Sequence, residues 1–175
     1  MKTDVSLSLE SELTRWLPYI EARLGRQPRG LRAIAAYNTA GEPAVIRVAS
    51  VVEKKPFPTL FWLIDPILNL SLDRLEAKGE IARLQEQVEG SLEMQEAMSN
   101  DHARHKELRN SYLTDEQRAF LVSKGMMAAL EERGIGGIAE STRIRCLHTW
   151  YAAHLVEPNT IGALIDSALL ESNNS

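Results

Sequence analysis

The stretch Thr59-Leu60-Phe61-Trp62-Leu63-Ile64-Asp65-Pro66-Ile67-Leu68 decides the fold class, because one structural period ends and another begins inside it. Its first six residues read as an extended segment apolar on both faces, which predicts a central, buried strand. Asp65 is then a good helix N-cap and Pro66 suits the first helical position, with Leu68, Leu72 and Leu75 following at i, i+4 and i+7.

Upstream, residues 31–37 and 44–52 are β-rich and are joined by Asn38-Thr39-Ala40-Gly41-Glu42-Pro43, which has the residues of a hairpin connection. Before them Leu13, Leu17, Ile20 and Leu24 recur at helical spacing and Gly25 supplies a stop, with Pro18 either opening that helix or kinking it. Downstream the pattern is helical. Gly79 separates the Leu-rich helix from one carrying Ile81, Leu84 and Val88, and the polar stretch 95–110 reads as solvent-facing. Thr114-Asp115-Glu116-Gln117 has the form of a capping box, predicting a helix to about Arg133 that ends at Gly134. Further helices are expected after Ser141/Thr142 and after Asn159, with a frayed polar tail from Glu171. The expected class is α+β: an N-terminal helix, a small, mostly antiparallel three-stranded sheet, and a helical C-terminal two-thirds. No repeat or linker divides the chain, so one domain over residues 1–175 is expected.

Composition narrows the functions. The 175 residues are 44% hydrophobic, enough to bury a core, and no apolar run approaches the roughly 20 residues of a membrane helix. With no apolar stretch behind Met1-Lys2-Thr3-Asp4, the expectation is a soluble cytoplasmic protein without membrane contact. Lys and Arg number 20 against 24 Asp and Glu, a balance that repels a phosphate backbone, so no nucleic acid is expected as partner. A lone cysteine, Cys146, excludes an internal disulfide framework and an all-cysteine zinc site. No nucleophile elbow, His-Glu-x-x-His motif or Walker sequence is present.

Reactive residue types are densest at Cys146-Leu147-His148, Tyr151 and His154. Thiolate and imidazole are natural ligands for zinc-like metals, and histidine works as a general base near neutral pH. In an extended segment Cys146 and His148 point the same way, whereas in a helix they stand about 200° apart, so a helix there argues against joint ligation. The plainer alternative is a small buried cysteine and histidines satisfied in the core. His102 and His105 share a helix face, but their polar surroundings read as a solvated surface. Gly134-Ile135-Gly136-Gly137 ahead of an expected helix resembles a phosphate-cradling loop, although it lacks the P-loop lysine and reads more simply as a turn between helices. Arg26, Arg29 and Arg32, with Arg143 and Arg145, would form an anion site if they converged.

Several blocks taken in order carry a family resemblance: Leu24-Gly25-Arg26 with Pro28-Arg29-Gly30, Pro56-Phe57-Pro58-Thr59 leading to Trp62-Leu63, and Arg74-Leu75-Glu76. They continue with Gly134-Ile135-Gly136-Gly137, Cys146-Leu147-His148, Tyr151-Ala152, His154-Leu155, Asn159 and Ile161-Gly162. Over residues 24–162 the chain resembles the bacterial family called domain of unknown function 501. The resemblance brings no activity. It implies only an association with cell division or phosphate metabolism, since such proteins look to be encoded near a septum-formation protein and an exopolyphosphatase-like enzyme. Many relatives carry a cysteine in the hairpin and another before the helix-opening proline. Here those places read Asn38-Thr39-Ala40 and Ile64-Asp65-Pro66, which leaves Asp65 as a hard-ligand substitute beside its N-cap role.

Two functions are therefore expected as alternatives. One is a small-ligand or anion-binding domain with a pocket drawn from Arg26, Arg29, Gly136, Gly137, Cys146, His148, Tyr151 and His154; a metal there would call on Cys146, His148, His154 and Asp65. The other is a protein-interaction or regulatory module using the polar helical region from Glu80 to Arg109 and the Leu-rich helix before it.

Overall fold

Side chains alternate along a strand, so three short apolar strands present two faces that both need covering. The computed structural model describes residues 3–173, with side chains from Ser8 to Ser172. Strands β1 (Leu31–Tyr37) and β2 (Pro43–Val48) are followed by a ribbon of β3 (Val51–Val52) and β4 (Lys55–Pro56), then by β5 (Phe61–Leu63). The antiparallel sheet runs β1-β2-β5. Ile46, Val48, Trp62 and Ile64 cluster with Trp16, Tyr19, Ile20 and Leu24 of α1 (Thr3–Leu24), which covers one face. Val45, Phe61 and Leu63 belong to the larger core beneath the later helices.

The expected order, an N-terminal helix, a small antiparallel sheet and a helical remainder, is the observed one. Within it β5 lies at the sheet edge and β2 is central, a correction to the reading of residues 59–64. Their double-sided hydrophobicity reflects helices on both faces rather than strands on both sides. The second expected strand also stops early. After Val48 the chain enters the ribbon, whose two-residue turn holds Glu53 and Lys54 at φ 50° and 62°, the left-handed geometry of a tight hairpin.

α2 (Pro66–Ala77) opens as expected. Asp65 Oδ1 accepts from the Ile67 and Leu68 amides at 2.9 Å each. α3 (Glu80–Glu89), α4 (Leu92–Ser111) and α5 (Asp115–Ser123) follow, the last with both halves of the Thr114/Gln117 capping box formed. The single helix expected from Thr114 to Arg133 is broken: Gly125 takes φ +64° and α6 (Ala128–Glu131) restarts beyond it. The helix expected after Thr142 begins only at Leu147, as α7 (Leu147–His154). Gln85 of α3 accounts for the delay, since its Oε1 accepts from the Ile144 amide at 2.9 Å and its Nε2 donates to the Thr142 carbonyl at 3.1 Å. α8 (Thr160–Asn173) starts where Asn159 Oδ1 accepts from the Gly162 amide at 2.7 Å, and it carries the polar tail to Asn173; the last two residues lie outside the described ones. Among the described residues no helix is long and apolar enough to cross a membrane.

The largest departure concerns residues 95–110. They were expected to face solvent, yet Met98, Asp101, His102, His105 and Arg109 are buried on the inner stripe of α4. Asp101 Oδ2 accepts from the Thr160 amide at 2.7 Å and holds the start of α8. His102 Nδ1 accepts from the Ile135 amide at 2.9 Å. Arg109, wholly inaccessible to solvent, donates to the carbonyls of Pro58 at 2.9 Å, of Arg133 at 2.6 Å, and of Leu130. Backbone groups from three separate segments, at residues 58, 130–135 and 160, are thus satisfied by polar side chains standing where an apolar stripe would normally lie.

Two consequences are measurable. Arg109→Met leaves three carbonyls without their charged donor, and at about 1.5–3 kcal/mol for a hydrogen bond to a charged group the loss is about 3 kcal/mol or more, read as a lower urea midpoint. Burial pushes His102 down to about 4, with Lys106 adding to it, and His105 down to about 3, with Arg109 adding to it. Both are neutral in the native state, while the unfolded chain takes up protons from about pH 6.5 downward, so their contribution to stability is full above pH 6.5 and falls steadily towards pH 4. The urea midpoint followed across that window falls less steeply in His105→Phe; an equal slope in wild type and variant would assign the acid sensitivity elsewhere.

Candidate functional site

Because α7 starts one residue after Cys146, the geometric objection to pairing this thiol with His148 disappears. Cys146 is an extended N-cap at φ −155°, ψ 133°, and His148 stands in the first helical turn. Sγ and His148 Nδ1 lie 3.5 Å apart. A third group arrives from α2. Glu76 Oε1 accepts from the Leu147 amide at 2.7 Å and lies 3.2 Å from His148 Nδ1, so this carboxylate supplies the helix cap that Cys146 does not. Asp73, three residues earlier on the same helix face, meets His148 Nε2 at 3.2 Å. Donor atoms of Glu76, Cys146 and His148 all lie within 4.8 Å of one another, on side chains that are partly exposed.

Hydrogen bonding to Cys146 raises His148 to about 9, with the charge of Glu76 adding to it and burial opposing it. At neutral pH the ring is therefore an imidazolium, donating from Nδ1 into the thiol and carboxylate corner and from Nε2 to Asp73. Sequence reasoning missed Glu76 and Asp73 as members of this cluster. Glu76 sits in a block that carries the family resemblance, but only the packing of α2 against α7 bridges the 72 residues to His148.

Tyr151 and His154 form a separate arrangement at the other end of α7. Their rings stack at 5.8 Å and share Asp166 of α8, the phenol donating to Oδ1 at 2.8 Å and His154 Nε2 to Oδ2 at 3.0 Å. His154 Nδ1 accepts from the Asn159 amide at 3.0 Å, so both ring nitrogens are engaged in latching α8 to α7. Burial, with the Asp166 bond, pushes the Tyr151 hydroxyl upward. Asp65 is likewise committed: beyond its two cap bonds, Oδ2 accepts from Asn38 Nδ2 at 2.8 Å. Neither His154 nor Asp65 is brought to the Cys146 cluster.

The glycine turn holds Gly136 at φ +65° and Gly137 at φ +73°, and it packs rather than cradles. A Cβ on Gly136 would stand 2.6 Å from Thr149 Oγ1, and one on Gly134 would run into the His102 ring. Arg26 and Arg29 lie elsewhere, on a cleft of about 310 Å³ with Phe57 and Trp62. Arg26 stacks over Trp62 at 5.0 Å, and Arg29 pairs with Glu53 at 3.1 Å in full view of solvent, an ion pair of small energetic weight. The pocket expected from these arginines, the glycine turn and the Cys146–His154 segment together is therefore dispersed over four places, the segment itself dividing between its two ends. In a histidine-resolved NMR titration His148 titrates near pH 9, and Cys146→Ser moves it down towards the ordinary value near 6.5. An unchanged titration in that variant would remove the thiol as the cause.

No curated protein and no solved structure matches the chain. A family described as "Protein of unknown function (DUF501)" matches residues 34–167, which hold all but the first three residues of the sheet, the buried stripe of α4 and the Cys146 cluster. The chain belongs to this family.

Proposed function

We propose that the protein is a small-ligand-binding domain whose site at the start of α7 takes a divalent transition metal of the zinc class, with Cys146, His148 and Glu76 as ligands. The observation that supports this is the donor spacing. Tetrahedral zinc with bonds of about 2.0–2.3 Å places its ligand atoms about 3.3–3.8 Å apart, the nitrogen–oxygen pair at the short end. The measured separations are 3.5 Å for Sγ to Nδ1 and 3.2 Å for Nδ1 to Oε1. With Nδ1 as the ligating atom, Nε2 donates to Asp73, the carboxylate–histidine arrangement that commonly orients a metal-bound imidazole. Three protein donors leave a fourth position for water or an anion. Binding displaces the proton on Nδ1 and any proton on the thiol.

The reading as an interaction module has less behind it, because the segment from Glu80 to Arg109 turns its most distinctive residues inward.

Protein prepared without a polyhistidine tag or chelator, titrated with cobalt(II) and then zinc, is expected to bind one equivalent and to show a thiolate-to-cobalt charge-transfer band. Cys146→Ala abolishes the band, and Asp73→Asn weakens zinc by about tenfold, the lower end for a residue that orients a ligand. Absence of stoichiometric metal and of the band in the unaltered protein would overturn the assignment.

A further inference from the structure

A second cleft, of about 420 Å³, opens between the end of β2 and the connection from α4 to α5, lined by Arg32, Arg47, Ser50, Tyr112 and Thr114 among others. It shares no residue with the Cys146 cluster. Arg47 of β2 is paired with Ala33 of β1, and the register shift between Leu31 and Ala33 puts Arg32 beside it. Among the described residues neither guanidinium meets a carboxylate. Arg47 lies over the Tyr112 ring at 3.8 Å, and Arg32 reaches only its neighbour's carbonyl, that of Leu31, at 3.3 Å. Two cations side by side without a carboxylate, on a chain of net charge −4 with 24 acidic residues to choose from, make a local positive spot that an anion can join. Burial pushes Arg47 downward; Tyr112 opposes it, and the charge of Arg32 adds a smaller downward push.

Ser50 adds an independent sign. The residue is 6% exposed and lines the cleft, and its hydroxyl is buried with no hydrogen-bond partner. A buried hydroxyl is normally satisfied, so this one calls for an acceptor. Thr114 stands at the same cleft; its oxygen already accepts from the Gln117 amide at 3.1 Å, which leaves its proton to donate. Two guanidiniums and two hydroxyl donors match a group of nearly two negative charges with three acceptor oxygens better than a single carboxylate, which would leave one arginine unpaired. A neighbouring hollow carries Lys54 and Glu116 and shares Gln117, so the charges beyond the cleft offset one another.

We infer that this cleft binds a small phosphorylated ligand, with Arg32, Arg47, Ser50 and Thr114 around the phosphoryl group. Inorganic phosphate and a phosphate monoester share this chemistry, and a titration with each tells them apart: tighter binding of the ester shows that the rest of the cleft contributes. Calorimetry with inorganic phosphate, glycerol phosphate and, as contrast, malonate is expected to show binding of the phosphoryl compounds and little of malonate. Arg32→Gln, at an exposed position that leaves folding intact, and Arg47→Gln each weaken phosphate about tenfold or more, the loss of one charge-assisted hydrogen bond. Ser50→Ala weakens it less. Cys146→Ala leaves it unchanged, so failure here and failure of the metal site are read separately. Absence of binding by both phosphoryl compounds, equal binding of malonate, or full retention of affinity in an Arg32→Gln/Arg47→Gln double variant would overturn the inference.

Discussion

The guanidinium of Arg109 is the group whose burial constrains the rest of the structure most. A cation withdrawn from water without a carboxylate survives only where several dipoles surround it, and here three carbonyls do, from the loop before β5 and from the end of α6. Burial lowers its affinity for a proton only to about 10, so it stays charged at neutral pH. To aim those carbonyls inward the chain must bring Pro58, Leu130 and Arg133 to one point. That requirement fixes the approach to the edge strand and the place where α6 ends, and with them the entry to the glycine turn.

Asp101 and His102 extend the same logic along α4. One carboxylate starts α8 and pairs with Arg104 at 2.6 Å; one imidazole receives the amide that follows Gly134. The helix serves as an internal scaffold of acceptors and donors for segments that are themselves irregular. Such a scaffold is directional where an apolar core is not, and it selects one arrangement of loops from the many that would bury similar area.

What was legible in the sequence is what depends on local chemistry. The Asp65-Pro66 start of α2, the Thr114 capping box and the Asn159 start of α8 are written in residues within one turn of each other, and all three form. The order of helix, sheet and helices followed from period. The inward face of α4 was not legible, because its stripe at positions 98, 101, 102, 105 and 109 has helical spacing but only one apolar member, and period-based reading weighs hydrophobicity alone. The late start of α7 was hidden in Gln85, whose two bonds to residues 142 and 144 span 57 and 59 positions. An extended segment brings Cys146 and His148 together and a helix parts them; here the helix boundary falls between the two residues. Glu76, Asp73, Arg47 and Ser50 enter their sites through tertiary packing, which no local signal announces.

The cap on α7 is borrowed: its first amide is held by a carboxylate from α2 rather than by its own N-cap side chain. A borrowed cap is a lever between helices. Whatever changes the charge on Glu76 also changes how firmly the first turn of α7 is tied, and that turn carries His148 and leads to the buried Trp150. The partly exposed corner and the buried Trp150 thus share one helical turn, whose first amide is held from another helix.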